Sequence, residues 1–132
     1  MIKLYNAKNL EEFNKIAQDF SKSLNKNDII FLEGDLGSGK TQFVKNIAKV
    51  LGIKKMVTSP TFNIIKEYDE KLCHVDAYRL NNEYIELDEY LSNDYIVCIE
   101  WAECLSNNIK PNYIIKINYL DQGREIKIIK GE

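Results

Sequence analysis

Gly34-Asp35-Leu36-Gly37-Ser38-Gly39-Lys40-Thr41 is a complete G-x-x-x-x-G-K-[ST] loop, and its flanks decide how the chain folds. Before it, Asp28-Ile29-Ile30-Phe31-Leu32-Glu33 is a short apolar run that ends in turn residues, as a buried strand does. After it, Phe43, Val44, Ile47, Ala48 and Leu51 recur at helical spacing, and Gly52 stands where a helix terminator belongs. Strand, glycine-rich loop and helix thus follow in the order that wraps a phosphate chain. In that setting successive backbone N–H groups converge on the anion, reinforced by the positive end of the helix. A side chain at Gly34 or Gly39 would obstruct the approach. The residues expected to grip a nucleotide are Asp35, Leu36, Gly37, Ser38, Gly39, Lys40, Thr41 and Gln42. Lys40 reaches the β- and γ-phosphates, and the Thr41 hydroxyl holds Mg²⁺.

The 132 residues suit one domain spanning 1–132, and 45% apolar with 29% charged residues is ordinary for a globular protein. A net charge of −2 gives no footprint for autonomous nucleic-acid binding, so a nucleic-acid role would run through a partner. The first residues carry no apolar signal region, and no run approaches the ~18 apolar residues of a membrane span. The expectation is a cytoplasmic protein with no membrane attachment. Cys73, Cys98 and Cys104 are odd in number and lack C-x-x-C spacing, so they suggest neither a disulfide framework nor a zinc site. Cys73 and Cys98 fall in apolar strand-like runs and are assigned to the core.

Ile2-Lys3-Leu4-Tyr5 reads as a strand. Asn9 caps a helix, with Glu12 at its third position, whose face is Leu10, Phe13, Ile16, Ala17, Phe20 and Leu24. Segments 62–68 and 71–76 read as a hairpin turning at Asp69-Glu70. Leu80, Tyr84, Leu87 and Leu91 have helical spacing, with Glu83, Glu86, Asp88 and Glu89 on the opposite, solvated face. Tyr95-Ile96-Val97-Cys98-Ile99 is a strand that ends in Glu100, and 113–119 with 124–130 form a closing hairpin. The expected fold class is α/β: a three-layer fold of the P-loop NTPase type, its mixed sheet parallel around the loop and antiparallel at its extremities.

Hydrolysis needs a second anchor for Mg²⁺ and a group that orients water. In a parallel sheet Glu100 ends its strand on the same edge as the loop, a Walker-B-like position, although most such elements end in Asp. Ser59-Pro60-Thr61-Phe62, His74-Val75-Asp76-Ala77-Tyr78-Arg79-Leu80 and Ile99-Glu100-Trp101-Ala102-Glu103 follow the loop in that order. Together the four segments resemble the bacterial TsaE (YjeE) family over nearly the whole chain, including Gly123-Arg124 before the last strand. The resemblance implies an ATPase that supports formation of the threonylcarbamoyl group on adenosine 37 of tRNA. It implies TsaB and TsaD as partners, with tRNA engaged indirectly through their complex, and ATP and Mg²⁺ as cofactors. Carried to matching positions, Thr41 and Glu100 are the Mg²⁺ pair, Thr61 is a switch-like loop threonine, and Asp76 is the acidic residue of the His-x-Asp-x-Tyr-Arg segment, which could orient or deprotonate the attacking water or bind an Mg²⁺-bound water. The family often has a threonine in a Glu-Glu-Thr stretch near the base; this chain has Glu11-Glu12-Phe13, so no base contact is transferred.

Trp101, counted with the nucleotide-binding residues, either covers the nucleotide, meets a partner, or packs on the core. His74 shares a strand face with Asp76 and is read as a hydrogen-bonded structural residue. Arg79 suits either a γ-phosphate contact or an ion pair. Two other functions fit a bare phosphate loop: a small kinase of a nucleoside or metabolite, and a nucleotide-gated binding module with incidental hydrolysis. Against the kinase, the chain shows no Arg-rich lid segment.

Overall fold

The computed structural model describes residues 1–58 and 64–131. Its elements are β1 (Ile2–Ala7), α1 (Leu10–Ser21), β2 (Ile29–Glu33), α2 (Lys40–Val50), β3 (Ile65–Tyr68), β4 (Leu72–Asp76), α3 (Asp88–Leu91), β5 (Ile96–Glu100), β6 (Tyr113–Tyr119) and β7 (Arg124–Lys130). The strands form a seven-stranded sheet in the order β1-β7-β6-β2-β5-β4-β3. β2 is parallel to β5 and β6, and β4 to β5, while the β1–β7, β7–β6 and β3–β4 pairs are antiparallel. A mixed sheet, parallel at the loop and antiparallel at both edges, is what the strand pattern predicts.

Local chemistry sets the element ends. The Asn9 side chain accepts from the Glu12 N–H at 2.9 Å, and Glu12 returns a bond from the Lys8 N–H at 2.8 Å, so two orphan donors of α1 are satisfied. α2 closes with Gly52 N–H on Lys49 C=O and Ile53 N–H on Ala48 C=O, a Schellman pattern. The β3–β4 turn carries Asp69 and Glu70 at φ of 53° and 54°, so the tight hairpin forms without glycine.

One face of the sheet is covered by α1 and α2. Phe13 and Ala17 from α1 and Phe43, Val44 and Ile47 from α2 bury against Ile30, Leu32, Cys98, Ile115, Ile117 and Ile126. Phe43 is fully buried, with its ring centroid 6.1 Å from Phe13 and 5.8 Å from Phe20. Above these rings the two helices share a polar seam, in which Gln42 and Asn46 both donate to Asn14, and Gln18 donates to Asn46. Each buried amide thereby keeps a partner.

On the other face, Cys73, Val75, Val97 and Ile99 pack under Leu87, Tyr95 and Leu105. Here the structure corrects an expectation. The helix anticipated through Leu80, Tyr84, Leu87 and Leu91 is reduced to the single turn Asp88–Leu91. The preceding backbone is taken by a distant segment: Ile85 N–H donates to Asn107, Asn107 donates back to Ile85 C=O, and Glu83 bridges to Leu105. Asn82 at φ 54° also breaks any helical run. The acids Glu83, Glu86, Asp88 and Glu89 are exposed all the same. Cys73 and Cys98 are core residues as expected; burial pushes the Cys73 thiol up to about 12 and the Cys98 thiol up as well. Residues 62 and 63 of the expected hairpin lie outside the described residues.

Phe43 joins both helices to the strand that feeds the loop, so Phe43→Ala should cost about 3–5 kcal/mol of folding stability. Urea denaturation measures it, and a loss below about 1 kcal/mol would contradict this packing scheme.

Candidate functional site

β2 delivers the chain into residues 34–39, and α2 begins at Lys40. Ser38 N–H closes on Asp35 C=O at 3.0 Å, and Phe43 N–H on Gly39 C=O at 2.8 Å starts the helix. Two glycines are obligatory here. Gly34 has φ 153°, and a Cβ on it would lie 2.6 Å from the Ile117 carbonyl oxygen and 2.6 Å from Ser38 Oγ. Gly39 has φ 121°, and its Cβ would lie 3.0 Å from the Phe13 ring.

The closing hairpin clamps the loop from outside. Tyr119 Oη donates to Leu36 C=O at 2.9 Å, and Arg124 Nε donates to Ser38 C=O at 2.9 Å. The Arg124 guanidinium also stacks 4.3 Å from the Tyr119 ring centroid. In a planar trans peptide the C=O of one residue and the N–H of the next point opposite ways. Holding Leu36 and Ser38 by their carbonyls therefore turns the Gly37 and Gly39 N–H groups to the other side, where an anion would be received. Ser38 Oγ is buried in this loop without a hydrogen-bond partner among the described residues, a hydroxyl whose donor is unused.

The parallel register sets Leu32 and Asp76 on either side of Glu100, so strand ends and loop share one edge. Lys40 is 5% exposed; its Nζ donates to Gly34 C=O at 2.7 Å, stands 3.9 Å from Glu100 Oε1 and lies 4.2 Å from the Trp101 ring centroid. Glu100 is 4% exposed, and its Oε2 takes a 2.5 Å hydrogen bond from His74 Nε2. Asp76 accepts from the Tyr78 N–H at 3.0 Å. Burial raises its carboxyl above the ordinary carboxylate range, and Glu100 adds to the rise against the opposing pull of the Tyr78 N–H, His74 and Lys40. Trp101 is left-handed at φ 60°, ψ 44°, which seats its ring between Lys40 and the Tyr78 ring, 4.8 Å away.

Leu36, Gly37, Gly39, Lys40, Thr41, Gln42, Asp76, Glu100 and Trp101 line one cavity of ≈ 310 Å³. Of the other residues named from the sequence, Asp35 is exposed in the loop and Ser38 is buried within it, while Thr61 lies outside the described residues. The Gln42 side chain is turned to Asn14 of α1. Trp101 packs on the second core, one of its expected settings, and also lines the cavity. Arg79 is exposed in the segment after β4.

Sequence reasoning missed the clamp residues Tyr119 and Arg124, and a second cleft of ≈ 310 Å³ beside the loop, between Asn9, Leu10 and Phe13 of the α1 end and Arg124. Phe13, a residue of the apolar face of α1, also forms the seat of Gly39 and one wall of that cleft. Among the described residues no three His, Cys, Asp or Glu side chains group as a self-sufficient metal site. One hydroxyl and one carboxylate at a phosphate loop would be a different donor set, one that phosphate oxygens and water would complete.

A family model described as "Threonylcarbamoyl adenosine biosynthesis protein TsaE" matches residues 7–128. The chain belongs to the TsaE family. A TsaE protein named for tRNA threonylcarbamoyladenosine biosynthesis in Bacillus subtilis is 42% identical over 106 residues, covering 76% of this chain and 67% of the relative. The Aquifex aeolicus protein of the same name is 35% identical over 127 residues, 91% of this chain and 90% of the relative. The crystal structure of Bacillus subtilis YdiB superposes with a TM-score of 0.80 at 34% identity, over 98% of this chain and 86% of that one. The TsaE fold is thus the mixed seven-stranded sheet described above.

A carboxyl whose pKa is raised in the folded protein binds its proton more tightly there than in the unfolded chain. Stability is then lost as pH rises through that raised value. Asp76→Asn should therefore melt higher than the parent at neutral pH, with the difference vanishing below the ordinary carboxylate value of 3.8. Thermal melts across pH measure this, and a variant less stable at neutral pH would contradict the burial of Asp76.

Proposed function

We propose that this TsaE protein binds and hydrolyses ATP with Mg²⁺, as a single domain working in the cytoplasm beside TsaB and TsaD. The chain's role lies in threonylcarbamoyl adenosine biosynthesis on tRNA, and tRNA is met through the partner complex. The observation that carries the ATPase reading is the buried Lys40–Glu100 pair at the loop, a cation and an anion 3.9 Å apart at one wall of an open cavity. Taking Lys40 off the Gly34 carbonyl and onto β- and γ-phosphate oxygens exchanges a neutral acceptor for an anionic one, a stronger charge-assisted bond. The Gly37 and Gly39 N–H groups and the Ser38 hydroxyl supply the rest of the phosphate cradle.

Thr41 and Glu100 would hold Mg²⁺, which when bound spreads the charge that develops on the transferred phosphoryl group. Asp76, beside Glu100 in the register and partly shielded from water, suits the group that orients the attacking water or accepts its proton. Thr61 is assigned as a switch-like threonine that completes the γ-phosphate side. Trp101 leaves the Lys40 ammonium when phosphate arrives and covers the site, and Asp35, Leu36 and Gln42 complete the nucleotide-binding stretch. The cleft between α1 and Arg124 adjoins the loop and gives room for the base. No helix among the described residues is long and apolar enough to cross a membrane.

Lys40→Ala should weaken ATP binding by about 100-fold, the loss of charge-assisted hydrogen bonds worth about 1.5–3 kcal/mol each. Calorimetric titration measures it, and an unchanged affinity would remove the phosphate-loop assignment. The function itself is tested by tRNA modification over multiple turnovers with TsaB and TsaD, with and without this chain and ATP. Modification should require both this chain and ATP beyond the first turnover; equal yields without them would overturn the proposal.

A further inference from the structure

His74 is fully buried in the middle of β4, and nothing in the proposed chemistry above uses it. Its Nε2 meets Glu100 Oε2, while its Nδ1 has no hydrogen-bond partner among the described residues. The ring therefore makes one polar commitment in the core, and that commitment is to Glu100. A buried polar side chain with half its capacity unsatisfied is a poor core residue, since an apolar group of similar size would pack there without desolvation. What the imidazole does supply is direction. An ionised carboxylate only accepts, so the ring presents Nε2–H to it whatever its own charge.

The strand geometry makes this contact rigid. His74 pairs with Cys98 and Asp76 with Glu100 in the β4–β5 register, so His74 and Asp76 point to the same face as Glu100. One carboxylate oxygen, Oε2, is thus tied back into the sheet. The other, Oε1, stands 3.9 Å from Lys40 Nζ, and Glu100 itself lines the cavity. A carboxylate free to rotate would offer either oxygen and pay the entropy of fixing it on every binding event.

We propose that His74 is a positioning residue for metal binding: by holding Oε2 of Glu100 it presents Oε1 alone to Mg²⁺ at the phosphate loop. This rests on the assignment of Glu100 to the metal. Hydrogen-bonding partners behind metal ligands of this kind are worth about 10- to 100-fold in metal affinity.

The test is the half-saturating Mn²⁺ concentration of the equimolar protein–ADP complex, followed by electron paramagnetic resonance, with metal-free ADP affinity and melting temperature measured alongside. His74→Leu should raise that concentration by about 10- to 100-fold, with metal-free ADP affinity and melting temperature little changed. His74→Gln, whose amide nitrogen falls where Nε2 stands, should recover most of the loss, and His74→Asn, whose shorter amide falls where Nδ1 stands, should not. Should the leucine variant fail to fold, the Gln and Asn pair decides alone. Equal Mn²⁺ binding in the Gln and Asn variants, or unaltered binding in His74→Leu, would overturn the inference. Glu100→Gln separates the two levels: if it weakens Mn²⁺ and His74→Leu does not, only the positioning role falls. If Glu100→Gln leaves Mn²⁺ binding unmoved, the metal assignment falls and the inference with it.

Discussion

A lysine ammonium removed from water must be compensated by its surroundings, and Lys40 sets the terms for the architecture around it. Its partners come from different parts of the chain: the Gly34 carbonyl from the end of β2, the Glu100 carboxylate from β5, and the Trp101 ring just beyond. Glu100 is in turn held by His74 of β4. An unpaired charge at that depth would cost several kcal/mol. The relative placement of β2, β5 and β4 is therefore constrained by electrostatics at their shared edge as well as by the apolar rows behind it. Each partner is also one that a nucleotide complex can reassign. The carbonyl and the ring are weaker companions than phosphate, so the cation is compensated without ligand yet available to one.

The antiparallel half of the sheet has its own part in this arrangement. β6 and β7 extend the sheet beyond β2 and also carry Tyr119 and Arg124, which grip the loop by the Leu36 and Ser38 carbonyls. Phe13 of α1 lies against Gly39. The loop is thus preorganised between a hairpin and a helix, with its amides already turned before any anion arrives. Asp76 shows the cost of such a site. Its carboxyl is held where burial disfavours its charge, a local loss of stability at a position suited to proton chemistry.

Much of this was legible in the sequence because the decisive signals are local. The strand, loop and helix around Gly34–Thr41 follow from spacing within about two dozen residues, as do the Asn9 cap, the Gly52 terminator and the closing hairpin. The segment around Leu80 to Leu91 departs from its helical spacing for the complementary reason. Its leucines have helical spacing, but its backbone bonds belong to Asn107, Leu105 and Ser106, partners that no local window contains. Tyr119 and Arg124 were invisible as site residues on the same ground, lying 83 and 86 positions from the carbonyls they hold. The left-handed backbone of Trp101, which aims its ring at Lys40, likewise has no signature in residue type.

The most direct measurement is a crystal structure with a non-hydrolysable ATP analogue and Mg²⁺. Lys40 Nζ should be drawn from the Gly34 carbonyl to the phosphates, with the metal between the Thr41 hydroxyl and Glu100 Oε1 while Oε2 stays on His74. A nucleotide seated away from this loop, or a metal with neither Thr41 nor Glu100 directly or through water, would contradict that placement.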